Sequence, residues 1–473
     1  MSKFAQINAM ESADNELTNN APAVPEDETA THETAETAAA ADEVAQESAD
    51  AEDLGEEQEQ LEEAGEIIEQ ESAGLTPEAS RYLNLALTRI VGKQAAAKIA
   101  TESHNSGRAA QEEAKRIALE GIKDTLKSFW NAIKAQLKKF YAKVKTFFVK
   151  MFSGAKKLAE RAKKLQEKAN NTVGTIEEKS FSFGQTKAIA VDGKYSDISS
   201  LLGGLNNIRK WIDGNITVKK ADDYEDVIDK TQPIIEKAIK DLIDDLKAGG
   251  KSPSLPASGR WSVEAELKKS GTISISPLGK MSSPDAKLVE MYKGGKDSKD
   301  TCEISTGLPG GKAIVSVSAN YSGSASSVLD YVLETSKVVK NSRLVLGNDK
   351  YTPREVAEGD VKTLTTSQID KVCDDVIEIG ETSYTYEKAW EKRDKFQAKL
   401  EREIDQIVKE VDSEDDDKID SRVQRYTRSY AESFTASVRR RTTFESQFIS
   451  YALSTGNVFL NYAERSLAQH KSK

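Results

Sequence analysis

Opposite charge is sorted into two blocks along this chain, and that sorting limits what each block can fold into. Residues 1–71 hold 22 Asp and Glu against a single Lys, a net charge of −21. The whole 473-residue chain carries 67 Lys+Arg and 78 Asp+Glu, so residues 72–473 hold 66 against 56, a net of +10. Asymmetry of this kind marks a tail with a role separate from the body. The acidic block has Phe4 as its only aromatic and is rich in Ala, Glu, Asp, Thr and Ser. Such a composition does not bury enough apolar surface to offset a backbone entropy of about 1–2 kcal/mol per residue. The expectation is a disordered acidic leader over residues 1–74, unstructured to about Gly55, with transient helix over 56–70.

Three near-copies of a short string punctuate this leader: Met10-Glu11-Ser12-Ala13, Gln46-Glu47-Ser48-Ala49 and Gln70-Glu71-Ser72-Ala73. One reading is chance repetition in an Ala/Glu/Ser-rich tract. The other is protease cleavage after Glu11, Glu47 and Glu71, since an exposed, unfolded segment is what a protease requires.

Residues 75–170 read as a basic helical region. Thr76, Pro77 and Glu78 suit a helix start. Gly92 and the stretch 103–107 read as interruptions. Beyond them Leu119, Ile122, Leu126, Phe129, Ile133, Leu137, Phe140, Val144, Phe147 and Met151 recur in steps of three and four, which lines them on one helical face. The opposite face carries Lys123, Lys127, Lys134, Lys138, Lys139, Lys143, Lys145 and Lys150, followed by Lys156 and Lys157. From Lys115 to Lys164 there are 15 basic and 3 acidic residues, net +12. Ser153-Gly154 reads as a break, with a second basic helix over 155–169. Three uses fit this pattern. The lysines are merely a solvated face; they contact nucleic-acid phosphates, blind to sequence and sensitive to salt; or the helix over 117–152 lies on an anionic membrane. Tethered beside it, the −21 leader acts at high effective concentration and screens the lysines until it is removed.

Residues 171–380 mix periods and read as a small α+β domain with an antiparallel sheet. Short strands are expected at 181–183, 188–191, 215–218, 261–267, 272–276, 301–305 and 313–317, and helices at 196–212, 224–246, 326–339 and 367–379. Gly307 to Lys312 superficially suggests a phosphate loop. Its two outer glycines enclose three residues instead of four, Ala313 stands where Ser or Thr would bind magnesium, and a strand follows, so a hairpin loop is the better reading. Residues 381–473 read as an antiparallel helical hairpin with an aromatic seam that is core or a self-association surface. Its acidic turn over 412–417 lacks the glycine and the bidentate Glu of a calcium loop. Arg439-Arg440-Arg441 reads as a solvated local basic patch.

The fold class is therefore α+β and predominantly α. No catalytic, metal-ligating or cofactor-binding set emerges: His32, His104 and His470 have no neighbours at ligand or triad spacing. Cys302 and Cys373 read as free thiols of a reducing compartment. No apolar run approaches the roughly 18 residues of a spanning helix, and Met1-Ser2-Lys3-Phe4 opens no secretory signal.

Three features together resemble the internal head proteins of large tailed bacteriophages of the T4 type. They are the sites Ala9-Met10-Glu11, Ala45-Gln46-Glu47 and Glu69-Gln70-Glu71, the stretch from Lys127-Ser128-Phe129-Trp130 to Phe147-Phe148-Val149-Lys150, and the helical Asn461–Leu467. The third site departs from the small-residue-x-Glu pattern, having Glu69 where the others have Ala. The resemblance implies a non-enzymatic protein inside the capsid, present in the host cytoplasm during assembly. It implies a leader trimmed by a prohead protease, and packaged DNA together with capsid or other head proteins as partners. A membrane-associated protein, and a head scaffold acting through helical contacts and self-association, are the alternatives.

Overall fold

The computed structural model describes residues 28–70, 108–172, 175–216, 274–293, 300–319, 341–348, 359–412 and 421–470, with scattered positions in 74–88, 225–244 and 336–340. In chain order the elements are α1 (Glu28–Gln70), α2 (Arg108–Asn171), β1 (Ser180–Ser182), α3 (Thr186–Ile189), α4 (Ile198–Asn215), α5 (Ala286–Lys293), β2 (Thr301–Ile304), β3 (Lys312–Ser318), β4 (Arg343–Asn348), β5 (Asp360–Lys362), α6 (Thr366–Thr385), α7 (Glu387–Asp412) and α8 (Ser421–Leu467). The chain is mainly α with small antiparallel sheets, as its sequence leads one to expect. It divides into two compact units, one holding residues 45–143 and the other 19–44 with 144–473.

In the first unit the second half of α1 runs antiparallel to the first half of α2. Gly65 lies against Ile122, Gln136 donates to Glu47, and Lys115 donates to the Glu69 carbonyl. This corrects the expectation of disorder for residues 28–55, where α1 is a continuous 43-residue helix; residues 1–27 lie outside the described residues. Along it Thr34, Thr37, Ala41, Val44, Ser48, Ala51, Gly55, Gln58, Glu62 and Gly65 are buried, in steps of three and four throughout. The spacing is helical, but the residues are small or polar, so a reading based on hydrophobicity sees no face. Small side chains let two helices approach closely, and dispersion contacts then replace bulk apolar area. The unit's core joins Leu61, Ile68, Leu75 and Leu87 to Ala114, Ala118, Ile122 and Leu126.

In the second unit α8 packs against α3, α4, α6, α7 and β4. It is a polar helix in sequence, yet every residue from 430 to 439 is buried. Hydroxyls make this tolerable: Thr427, Thr435 and Thr442 return their O–H groups to the carbonyls of Val423, Ala431 and Val438. A buried polar side chain satisfied within its own helix costs little. Apolar contacts do the rest, with Trp211 of α4 meeting Phe444 and Phe448. The helices α7 and α8 form the expected antiparallel pair, since Arg393 meets Glu445 while Gln397 meets Thr442. The acidic connection between them lies outside the described residues.

The sheets are small. β1 pairs with β5, Phe181 opposite Val361, and β2, β3 and β4 pair antiparallel in that order. The loop 305–311 joins β2 to β3 as a hairpin, and the Gly310 N–H donates to the Ala190 carbonyl. The strand expected at 188–191 is not formed. Helix α3 occupies its start, and a left-handed turn at Asp192 and Gly193 (φ 49° and 72°) folds the chain back, leaving a single bridge between Val191 and Lys194. The strand expected at 215–218 does not begin at Asn215, which ends α4 and donates to the Trp211 and Ser276 carbonyls. The described residues 274–276 are not strand either. The strand at 261–267, the interruptions at 92 and 103–107, and most of the helices at 224–246 and 326–339 lie outside the described residues.

Two further expectations are corrected. No break occurs at Ser153-Gly154, because α2 continues to Asn171. Gly154 is instead a notch: a Cβ there would come within 3.1 Å of the Thr37 hydroxyl. Arg439-Arg440-Arg441 is not a solvated patch. Arg439 is buried, Arg440 donates to the Lys340 carbonyl, and Arg441 pairs with the buried Glu445.

Candidate functional site

The ten lysines singled out from the sequence all lie on α2. Their positions follow from what the other face of that helix does. In the first unit Ile122, Leu126, Trp130, Ile133, Leu137 and Phe140 are buried. The lysines are thereby turned outward or to the flanks. Lys138 and Lys139 are exposed, while Lys123, Lys127, Lys134 and Lys143 are half-buried. The Lys134 ammonium sits 6.0 Å from the Trp130 ring centroid, a cation–π distance. Lys123 and Lys143 are likewise engaged with neighbours.

In the second unit Val144, Phe147, Phe148, Met151, Ala155 and Leu158 are fully buried, and Phe148 stacks on Trp390 at 4.3 Å. Lys145 and Lys156 are exposed and Lys150 is half-buried. Lys157 pairs with Glu33, and that hydrogen bond is the largest influence holding the Glu33 carboxyl below its ordinary value. The buried Arg161 is held by Glu464 through two bonds (3.1 and 2.6 Å) and also donates to Asn457 and Asn461.

The acidic helix meets the basic one with few long apolar side chains of its own. In the first unit Gln136 donates to Glu47 at 2.6 Å, and Gln58 donates to the buried Glu62 at 3.1 Å. Burial raises the carboxyls of Asp53 and Glu57, reinforced by Glu52 and Asp53 respectively. Of the cleavage-like positions, Glu11 and Glu71 lie outside the described residues, Glu71 following directly on the last residue of α1. Glu47 is half-buried inside α1, and Ser48 beside it is buried.

The sequence reading missed Gln136, Arg161 and Glu33. Gln136 was visible as a polar residue on an apolar stripe, between Ile133 and Leu137. Arg161 and Glu33 carried no signal, being charges among many. Among the described residues no group of His, Cys, Asp and Glu is arranged to hold a metal ion, and no helix is long and apolar enough to cross a membrane. Cys302 and Cys373 are free thiols, as expected.

Long paired helices, with the apolar face of α2 buried and Lys138, Lys139, Lys145 and Lys156 exposed on it, define a mainly helical packing protein. The model of the phiKZ-like phage internal head proteins matches residues 26–465, and the chain belongs to that family. It is an internal head protein of a large phage, a structural component enclosed in the virion capsid. No curated protein and no solved structure matches it. The match carries the internal-head-protein part of the resemblance; the T4 type and leader cleavage are no part of it.

Proposed function

We propose that this internal head protein is non-enzymatic, that the lysine face of α2 contacts the backbone of packaged DNA, and that a prohead protease trims the acidic leader. The observation that carries the reading is the division of labour on α2. Its apolar face is spent on the protein core, with Phe140, Val144, Phe147 and Met151 at 0% exposure, while Lys138, Lys139, Lys145 and Lys156 face solvent. A surface that offers ammonium groups without an apolar stripe binds polyanions by charge. On α2 the same burial spends most of the apolar face, with Val149 left exposed, which counts against the membrane alternative. In cis, α1 occupies part of the cationic helix through Glu33, Glu47 and the Glu69 carbonyl, so removing α1 frees Lys157, Gln136 and Lys115. Contacts with other head components follow from family membership.

The test is duplex binding by the full chain across a salt series. Replacing Lys138, Lys139, Lys145 and Lys156 by Ala lowers affinity for every duplex sequence alike. It also reduces the slope of log K against log salt by about 3–4, at roughly 0.9 per phosphate contact. Binding that ignores salt, or a slope unchanged by the four substitutions, refutes the DNA contact. Trimming is read separately, from the N-terminal residue of the protein in its native particle: Ser12, Ser48 or Ser72 supports it, and an intact Met1 or Ser2 removes it.

A further inference from the structure

The acidic helix is held at two places by different residues. Its first half packs in one unit. There Ala40, Ala41 and Val44 are buried, Thr37 fits the Gly154 notch, Glu33 pairs with Lys157, and the Thr31 hydroxyl accepts from Asn457 of α8. Its second half packs in the other unit, where Leu61 and Ile68 join the core, Gly65 meets Ile122, and Glu47 and the Glu69 carbonyl accept from Gln136 and Lys115. Neither half offers many large apolar groups, so each alone is a weak ligand. One continuous helix joins them, and the second docking is then intramolecular. Such linkage raises affinity by about 10²- to 10⁴-fold with no new contact.

We propose that α2, with α8, is a standing receptor for α1, one that keeps hold of this segment without any covalent link. A cut after Glu71 therefore leaves the leader bound, and only a second cut after Glu47 lets it go. The bond between Glu47 and Ser48 falls three residues beyond the division at Val44. Cutting there separates 28–47 from 48–70, and each piece keeps only one of the two dockings. The geometry also orders the cuts. Ser48 is buried and Glu47 is held by Gln136, so the Glu47 bond is not extended for a protease until α1 has begun to lift. The use of these cuts in the particle rests on the trimming proposed above, whereas the binding itself does not.

The experiment uses the full chain with a seven-residue site-specific protease sequence inserted after Gln70, cut while folded and run on a sizing column. Residues 1–70 co-elute with the remainder. Synthetic peptide 28–70 displaces them, and an equimolar mixture of peptides 28–47 and 48–70 needs at least about 100-fold more to do the same. A leader that elutes separately after the single cut, or halves that compete as well as the intact peptide, overturns the proposal. On the unmodified chain, amide hydrogen exchange over 28–44 and 45–70 rises together as salt is added; unlinked rates overturn it equally. Native particles in which the chain still begins at residue 1 would end the trimming reading and leave these binding results as they stand.

Discussion

Replacing Glu445 by Gln removes the carboxylate shared by Arg393, Arg441 and Tyr386 deep between α7 and α8. Arg393 and Glu445 are 1% and 2% exposed, and Arg441 10%. The Tyr386 hydroxyl donates to the same carboxylate at 2.7 Å. Burial pushes the Glu445 carboxyl up, but Arg393 and then Arg441 more than reverse this, so it titrates below its ordinary value. Removing one member of a buried pair costs about 3–5 kcal/mol, because the partner charge stays behind without compensation. Gln keeps the shape and can still accept from Tyr386, which places Glu445→Gln near the lower end, about 3 kcal/mol. Urea unfolding followed by circular dichroism reads this as a midpoint lowered by roughly 1 M. The pH dependence has a fixed sign. A depressed carboxyl contributes stability above the unfolded-state value and loses it as pH falls through the folded one. The gap between wild type and variant is therefore full at neutral pH and closes only on acidification below the usual carboxylate range. A loss under about 1 kcal/mol refutes the reasoning, since it means water reaches the cluster. The double variant Arg393→Met with Glu445→Leu recovers only part of the loss, because Arg441 and the Tyr386 hydroxyl still lack the carboxylate they shared.

Asp375 behaves in the opposite sense. Burial raises its carboxyl to about 6 despite Arg209 at 2.8 Å, so it weakens the fold as pH rises from its ordinary value toward 6. Asp375→Asn raises stability at pH 7 by about 2 kcal/mol and flattens the slope below it, measured by urea midpoints across pH. Gly380→Leu lowers thermal stability by about 3 kcal/mol or more, since its Cβ alone would come within 2.7 Å of the Ala155 carbonyl and 3.0 Å of the Ala159 Cβ. Iodoacetamide at pH 8 leaves Cys373 untouched until the chain is unfolded, because burial pushes its thiol up to about 12; mass spectrometry of the digested protein reads this directly.

What could be read from the sequence depended on whether burial and hydrophobicity coincide. On α2 they do: Ile133, Leu137, Phe140, Val144 and Phe147 are both the apolar positions and the buried ones. On α1 they part company, since Ser48, Gly55, Gln58 and Glu62 are buried without being apolar, and so a well-formed helix reads as disorder. Charge gave a partial substitute. The leader's attraction to the basic helix was legible, while its form as a paired helix was not. Gly154 misled in another way, because a glycine that interrupts a helix and one that admits a neighbour look alike in one dimension. Arg440 and Arg441 misled because their environment is supplied partly by residues far away in sequence: the Lys340 carbonyl accepts from Arg440, and the Glu445 that pairs with Arg441 is shared with Arg393. The exposure of Lys138, Lys139, Lys145 and Lys156 was legible because they fall off the apolar stripe of α2.

The placement of α8 has a temporal consequence. Trp211 needs Phe444 and Phe448, which follow it by more than 230 residues. At a synthesis rate of roughly 5–20 residues per second, that indole waits on the order of ten seconds or longer for its companions. Synthesis that stops before residue 421 therefore leaves that indole without its aromatic companions.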